Sequence, residues 1–109
     1  MKKKQTIICP GEVVREELDE RGWTQQEFAD ILGRSRQLVS SFLHGRSNLT
    51  FDLAVRLEAA LDVPAATWLK MESLYRSRLE KTKIDAIRSQ VSARAKRLGV
   101  AETRAGYRR

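Results

Sequence analysis

The 109-residue chain contains a single cysteine, Cys9, and a single histidine, His44. One cysteine excludes an intramolecular disulfide and fits a reducing compartment. One cysteine with one histidine cannot supply the ligand cluster of a zinc site, so no metal ligands and no cofactor are expected. There is no apolar run long enough to span a membrane, and no signal-type apolar segment follows Lys2, Lys3 and Lys4. A cytoplasmic protein without membrane attachment is therefore expected. No Ser, His and Asp are spaced as a nucleophile with its base, and Cys9 has no histidine motif beside it. The expectation is a non-enzyme with no catalytic residues. Convincing strands are missing too: Thr6–Cys9 is apolar but too short.

The charge that is present is unevenly placed. Net charge is +7 and the pI about 10.1, which favours a polyanionic partner. Residues 1–75 carry 10 Lys/Arg against 11 Asp/Glu, whereas residues 76–109 carry 11 against 3. The basic excess thus belongs to the C-terminal third. Within the first part the signs also segregate. Glu12, Glu16, Glu17, Asp19 and Glu20 crowd one predicted helix, while Arg34, Arg36 and Arg46 lie elsewhere, so a nearly neutral domain can still present one basic face.

The stretch Thr24–Gly45 organises the rest. Thr24 with Glu27 three residues on is a capping box. Phe28, Ala29, Ile31 and Leu32 give the helix that follows an apolar side, and Gly33 ends it with the positive φ that glycine tolerates. Ser35 caps a second helix whose apolar positions 38, 39, 42 and 43 share one face. The opposite face holds Arg36, Gln37, Ser40, Ser41 and His44. None is an acid. Arg pairs bidentately with guanine, Gln with adenine, and Ser bonds several base edges. Two short helices with such a face form a helix-turn-helix, whose second helix enters the major groove.

Around this motif the pattern predicts further helices. One starts near Gly11 or Glu12, buries Val13, Val14 and Leu18, and ends at Arg21-Gly22. Asn48 or Thr50 caps another, with Phe51, Leu53, Ala54, Leu57 and Leu61 as its apolar positions. Pro64 suits the first turn of a fifth, which carries Trp68, Leu69, Met71, Leu74 and Tyr75. Lys81–Lys83 reads as a joint. Beyond it, Ile84, Ile87, Val91, Ala95 and Leu98 form a narrow stripe on an amphipathic helix that Gly99 would end. Met1–Gln5 is either a loose terminus or a basic arm on DNA, and Ala101–Arg109 is expected to be loose.

The run from Pro10 to Tyr75 resembles the HigA family of antitoxins, small lambda-repressor-like DNA-binding proteins. The marks are Pro10-Gly11-Glu12, Thr24-Gln25, Ala29, Gly33-Arg34-Ser35-Arg36, Val39-Ser40, Gly45-Arg46 and Trp68-Leu69. The resemblance implies an all-α, five-helix helix-turn-helix domain over residues 10–75, followed by a basic helical extension over 76–109. It implies a repressor of its own operon that binds operator DNA and neutralises a small RelE-like ribonuclease toxin. By position it assigns Gln25 to a DNA phosphate. It assigns Ser35, Arg36, Gln37, Ser40 and Ser41 to bases or phosphates, and Arg46 and Asn48 to the backbone-gripping loop. His44 joins this set from its place on the same face. Arg34 stands where the family usually has Val, so either the turn packs differently or Arg34 adds a phosphate contact. Some longer relatives continue into a zinc metallopeptidase, but no HExxH occurs here and that activity is not carried over.

A single reading head is weakly specific, so a homodimer on a palindrome is expected. Candidate dimer or partner surfaces are the Trp68–Leu79 helix, including Tyr75, and the Ile84–Leu98 helix with Ile87 and Val91. That last helix could instead dock on its own domain. The other functions weighed are a stand-alone repressor without a toxin and an interaction adaptor with a vestigial helix-turn-helix. The base-reading composition of Arg36, Gln37 and Ser41 argues against the adaptor.

Overall fold

A computed structural model describes residues 8–99, and within them every regular element is a helix. The helices are α1 (Pro10–Arg21), α2 (Gln25–Leu32), α3 (Arg36–Leu43), α4 (Phe51–Leu61), α5 (Ala65–Leu79) and α6 (Lys81–Arg97). The all-α class is as expected, with five helices followed by a sixth. The expected N-terminal arm and the loose Ala101–Arg109 segment lie outside the described residues. No helix among the described residues is long and apolar enough to cross a membrane. The chain divides into two compact units between Arg78 and Leu79.

Local chemistry sets most boundaries in the first unit. Thr24 Oγ1 accepts from the Glu27 amide at 3.0 Å, and Glu27 Oε1 accepts from the Thr24 amide at 2.9 Å, which completes the capping box. Ser35 Oγ accepts from the Leu38 amide and Thr50 Oγ1 from the Leu53 amide, so Thr50 rather than Asn48 caps α4. α1 begins a residue earlier than expected, at Pro10, whose fixed φ suits a first helical position. Pro64 lies just before α5, and its carbonyl accepts from Thr67 and Trp68. Glu58 Oε1, reaching from α4, accepts from the Ala65 amide at 2.8 Å. Lys81–Lys83 is not a joint. Glu80 interrupts the helices, and those three residues already belong to α6.

The core of the first unit gathers Val14, Leu18, Phe28, Ala29, Val39, Phe42, Leu43, Leu57 and Trp68 with their neighbours. α3 packs against both α2 and α1, and α4 packs against α2. The start of α1 crosses the end of α3 so closely that a Cβ on Gly11 would lie 2.4 Å from the Phe42 carbonyl oxygen. Several apolar positions face outward instead. Phe51 is 70% exposed, and Ile31, Leu38 and Leu74 are also exposed. Trp68, expected on a partner surface, is only 1% exposed. Burial of so large a ring in the core contributes more than a solvent-facing position could, and the expectation is corrected accordingly.

The second unit is carried by α6. Lys81 pairs with Asp85 at 2.8 Å along the helix, and the Asp85 carboxyl is held below its ordinary range by that hydrogen bond. Leu79, Ile87, Val91 and Leu98 are exposed, while Ile84 is half-buried.

Candidate nucleic-acid interface

The turn between α2 and α3 is built on Ala29, whose carbonyl accepts from both Gly33 (2.9 Å) and Arg34 (3.1 Å). Gly33 takes φ 72°, a left-handed conformation that a β-carbon disfavours. Ser35 is extended at φ −66°, ψ 150°, and reverses the chain into α3. Val39, Phe42 and Leu43 are then buried, which turns the opposite side of α3 outward. Arg36, Gln37 and His44 on that side are exposed, and Ser40 and Ser41 are half-buried. From residue 35 to residue 51 the chain has no Asp or Glu, yet it has Arg36 and Arg46. The field over this face is therefore attractive to anions.

The remaining expected residues fall around α3. Gln25, half-buried, opens α2 directly after the Thr24 cap. Arg46 and Asn48 are exposed on the loop that leaves α3. That loop starts tightly, with Gly45 at φ 72° and the Arg46 amide donating to the Ser41 carbonyl at 2.8 Å. The His44 ring lies back on its own helix, with Nδ1 2.9 Å from the Ser40 carbonyl.

Arg34 departs from the expected set. Its Nε and Nη2 donate to Asp52 Oδ2 at 3.2 and 2.8 Å, and its Nη1 donates to the Gly33 carbonyl at 3.0 Å. Arg56 donates to the same Asp52 oxygen at 2.9 Å and to the Leu32 carbonyl at 2.8 Å. Hydrogen bonds from Arg56 and Arg34 hold the Asp52 carboxyl below its ordinary range. Of the two readings of Arg34, this geometry supports different packing of the turn. The residue ties the turn to α4, and its three hydrogen bonds are made at a partly exposed position. Neither Asp52 nor Arg56 stood out in the sequence, because Asp52 lies 18 positions from Arg34.

A second unforeseen group braces the loop after α3. Glu72, on α5, is 8% exposed, and its Oε2 accepts from the Leu49 amide at 3.1 Å and from Arg76 Nε at 2.9 Å. Arg76 Nη2 donates to the Ser47 carbonyl at 3.2 Å. Tyr75, half-buried, packs its ring under the Arg76 guanidinium at 5.1 Å. A hydrogen bond with Cys9, reinforced by burial, pushes the Tyr75 phenol above its ordinary range. Among the described residues no group of three or more His, Cys, Asp and Glu could hold a metal ion.

Two short helices, a glycine turn and an outward second helix free of acids define the helix-turn-helix class. The family model described as Helix-turn-helix matches residues 14–68, which is 55 of the 109 residues, and the chain belongs to this family of DNA-binding regulators. In the solved structure of antitoxin GraA the fold superposes with a TM-score of 0.70 at 31% identity, over 79% of this chain and 95% of that one. Pseudomonas aeruginosa antitoxin HigA, solved with the higBA promoter, superposes with a TM-score of 0.65 at 26% identity, over 74% of this chain and 94% of that one. A protein of Pyrococcus furiosus named as an HTH-type transcriptional regulatory protein is 29% identical over 99 residues. That alignment takes in 86% of this chain, yet the chain spans only 30% of the length of that curated relative.

Proposed function

We propose that the chain is a HigA-type antitoxin of a type II toxin–antitoxin system. It binds operator DNA through α2 and α3, represses its own operon and neutralises a small RelE/HigB-like ribonuclease toxin. The observation that carries this reading is the acid-free outer face of α3, on a fold similar along nearly the whole length of an antitoxin. Arg36 and Gln37, at the start of α3, read base edges, and Ser35, Ser40, Ser41 and His44 bond bases or phosphates. Gln25, Arg46 and Asn48 hold the DNA backbone. Two copies place their α3 helices in successive major grooves roughly 34 Å apart. The protein acts in the cytoplasm, without a catalytic centre or cofactor of its own.

The test pairs two measurements on the full chain. Purified protein is titrated against its own upstream region and against an unrelated duplex. The open reading frame adjacent to its gene is expressed with and without it. Tight binding to the upstream region, together with rescue of cells from the neighbouring product, is the expected result. Binding without rescue would leave the stand-alone regulator, a reading that the name carried by the Pyrococcus furiosus relative favours. No preference for the upstream region would refute operator recognition.

A further inference from the structure

The loop after α3 is fixed at three points by α5 and by α3 itself. The Arg46 amide is bonded to Ser41, the Ser47 carbonyl to Arg76, and the Leu49 amide to Glu72. The exposed side chains of Arg46 and Asn48 lie within this fixed stretch of backbone. Glu72 is the charged side chain buried among the described residues. An i,i+4 pair that only braced α5 would serve equally well on its solvent face, where such pairs carry little desolvation cost. A buried carboxylate is costly unless fully partnered. Here the partners are one arginine and one loop amide, and that arginine in turn holds a loop carbonyl. The whole arrangement is directed at residues 47–49.

We propose that Glu72, with Arg76, is a positioning residue for DNA-backbone binding. It orders the loop in advance, so that Arg46 and Asn48 meet phosphates without a loss of loop freedom on binding. The inference rests on the DNA-binding reading above. Neither residue need touch DNA. Ordering a group before association removes a cost that would otherwise be charged to affinity, and it leaves the identity of the bases read by α3 unaffected.

The full-length chain is tested as wild type, Glu72→Gln, Glu72→Met/Arg76→Met and Arg46→Ala. Each is titrated against its upstream duplex and an unrelated duplex across a range of salt, and amide hydrogen exchange is followed at Leu49 and in α1–α4. The double variant removes both charges together, a change that buried pairs often tolerate. It should lose Leu49 protection, keep protection in α1–α4 and bind both duplexes about tenfold more weakly with the same ratio between them. Its salt slope should match wild type, because Arg46 still meets its phosphate in the complex, whereas Arg46→Ala should lower the slope by roughly one. Glu72→Gln keeps an acceptor for Leu49 and should stay close to wild type. Unchanged affinity with Leu49 deprotected would overturn the proposal, as would Leu49 protection that survives the double variant. Should the double variant fail to fold, Arg76→Gln releases the Ser47 carbonyl and must shift affinity in the same direction, and no shift overturns the proposal. If Arg46→Ala leaves the salt slope unchanged, the loop is not at DNA and the underlying reading fails with the inference. If Arg46→Ala acts and the double variant does not, the positioning role alone falls.

Discussion

Replacing Gly11 by alanine tests the packing that presents α3. At most helical positions the exchange would help, since alanine is favoured over glycine by about 1 kcal/mol in a helix interior. Here the new Cβ would lie 2.4 Å from the Phe42 carbonyl oxygen, 2.7 Å from the Leu43 carbonyl oxygen and 2.9 Å from the Leu43 carbonyl carbon. These are backbone atoms in the last turn of α3, so no side-chain rotation relieves them. α1 must move away, or α3 must shift. Overpacking usually costs about 1–3 kcal/mol, and rigid neighbours place this case at the upper end. Against the propensity gain, a net loss of about 2 kcal/mol or more is expected. For a domain of this size that lowers Tm by roughly 8–16 °C. Thermal unfolding followed by helical circular dichroism reads the shift directly. Because α3 is the element displaced, operator affinity measured well below Tm should fall as well. Gly33→Ala is the comparison, since its Cβ would come no nearer than 3.4 Å to Arg56 and its cost of about 1–2 kcal/mol is one of backbone strain. A Gly11→Ala protein as stable as wild type would refute the close crossing of α1 and α3.

Arg36→Ala and Gln37→Ala should each lose about 1–3 kcal/mol on the cognate operator and relax preference at one base pair, read from a panel of single-base operator variants. Equal weakening on every duplex would remove base reading from these side chains. Asp52→Asn should lower stability at neutral pH by releasing Arg34 and Arg56. Because the folded carboxyl titrates below its ordinary value of 3.8, the gap from wild type should be full above that value. It should close as pH falls through the lower folded value, and a gap that widened in acid would contradict the pairing. Ending the chain after Glu80 removes the exposed Ile87, Val91 and Leu98 stripe, and should abolish dimerisation or toxin binding while base preference survives. A truncated chain that still assembles and binds toxin, but has lost salt-sensitive DNA affinity, would make the extension a DNA arm.

What the sequence determined by itself is what depends on residues a few positions apart. Thr24 and Glu27 cap α2, Ser35 caps α3 and Gly33 turns the chain, because each hydrogen bond or positive φ closes within one helical turn. Of the apolar positions 38, 39, 42 and 43, the last three are buried and so turn the opposite side of α3 outward. Tertiary structure decided what depends on distant partners. Periodicity shows that a helix has an apolar side, but not which part of a broad side is covered. Phe51, Ile31 and Leu38 consequently ended outside while Trp68 went into the core. Between different packing of the turn and a phosphate contact, the sequence could not choose for Arg34, whose partner Asp52, shared with Arg56, lies 18 positions away. Nothing in the local pattern marks Glu72, which the fold sets against Leu49, 23 positions earlier. The need for glycine at position 11 comes from the backbone of α3, some thirty residues further along the chain, which only the folded crossing brings within reach.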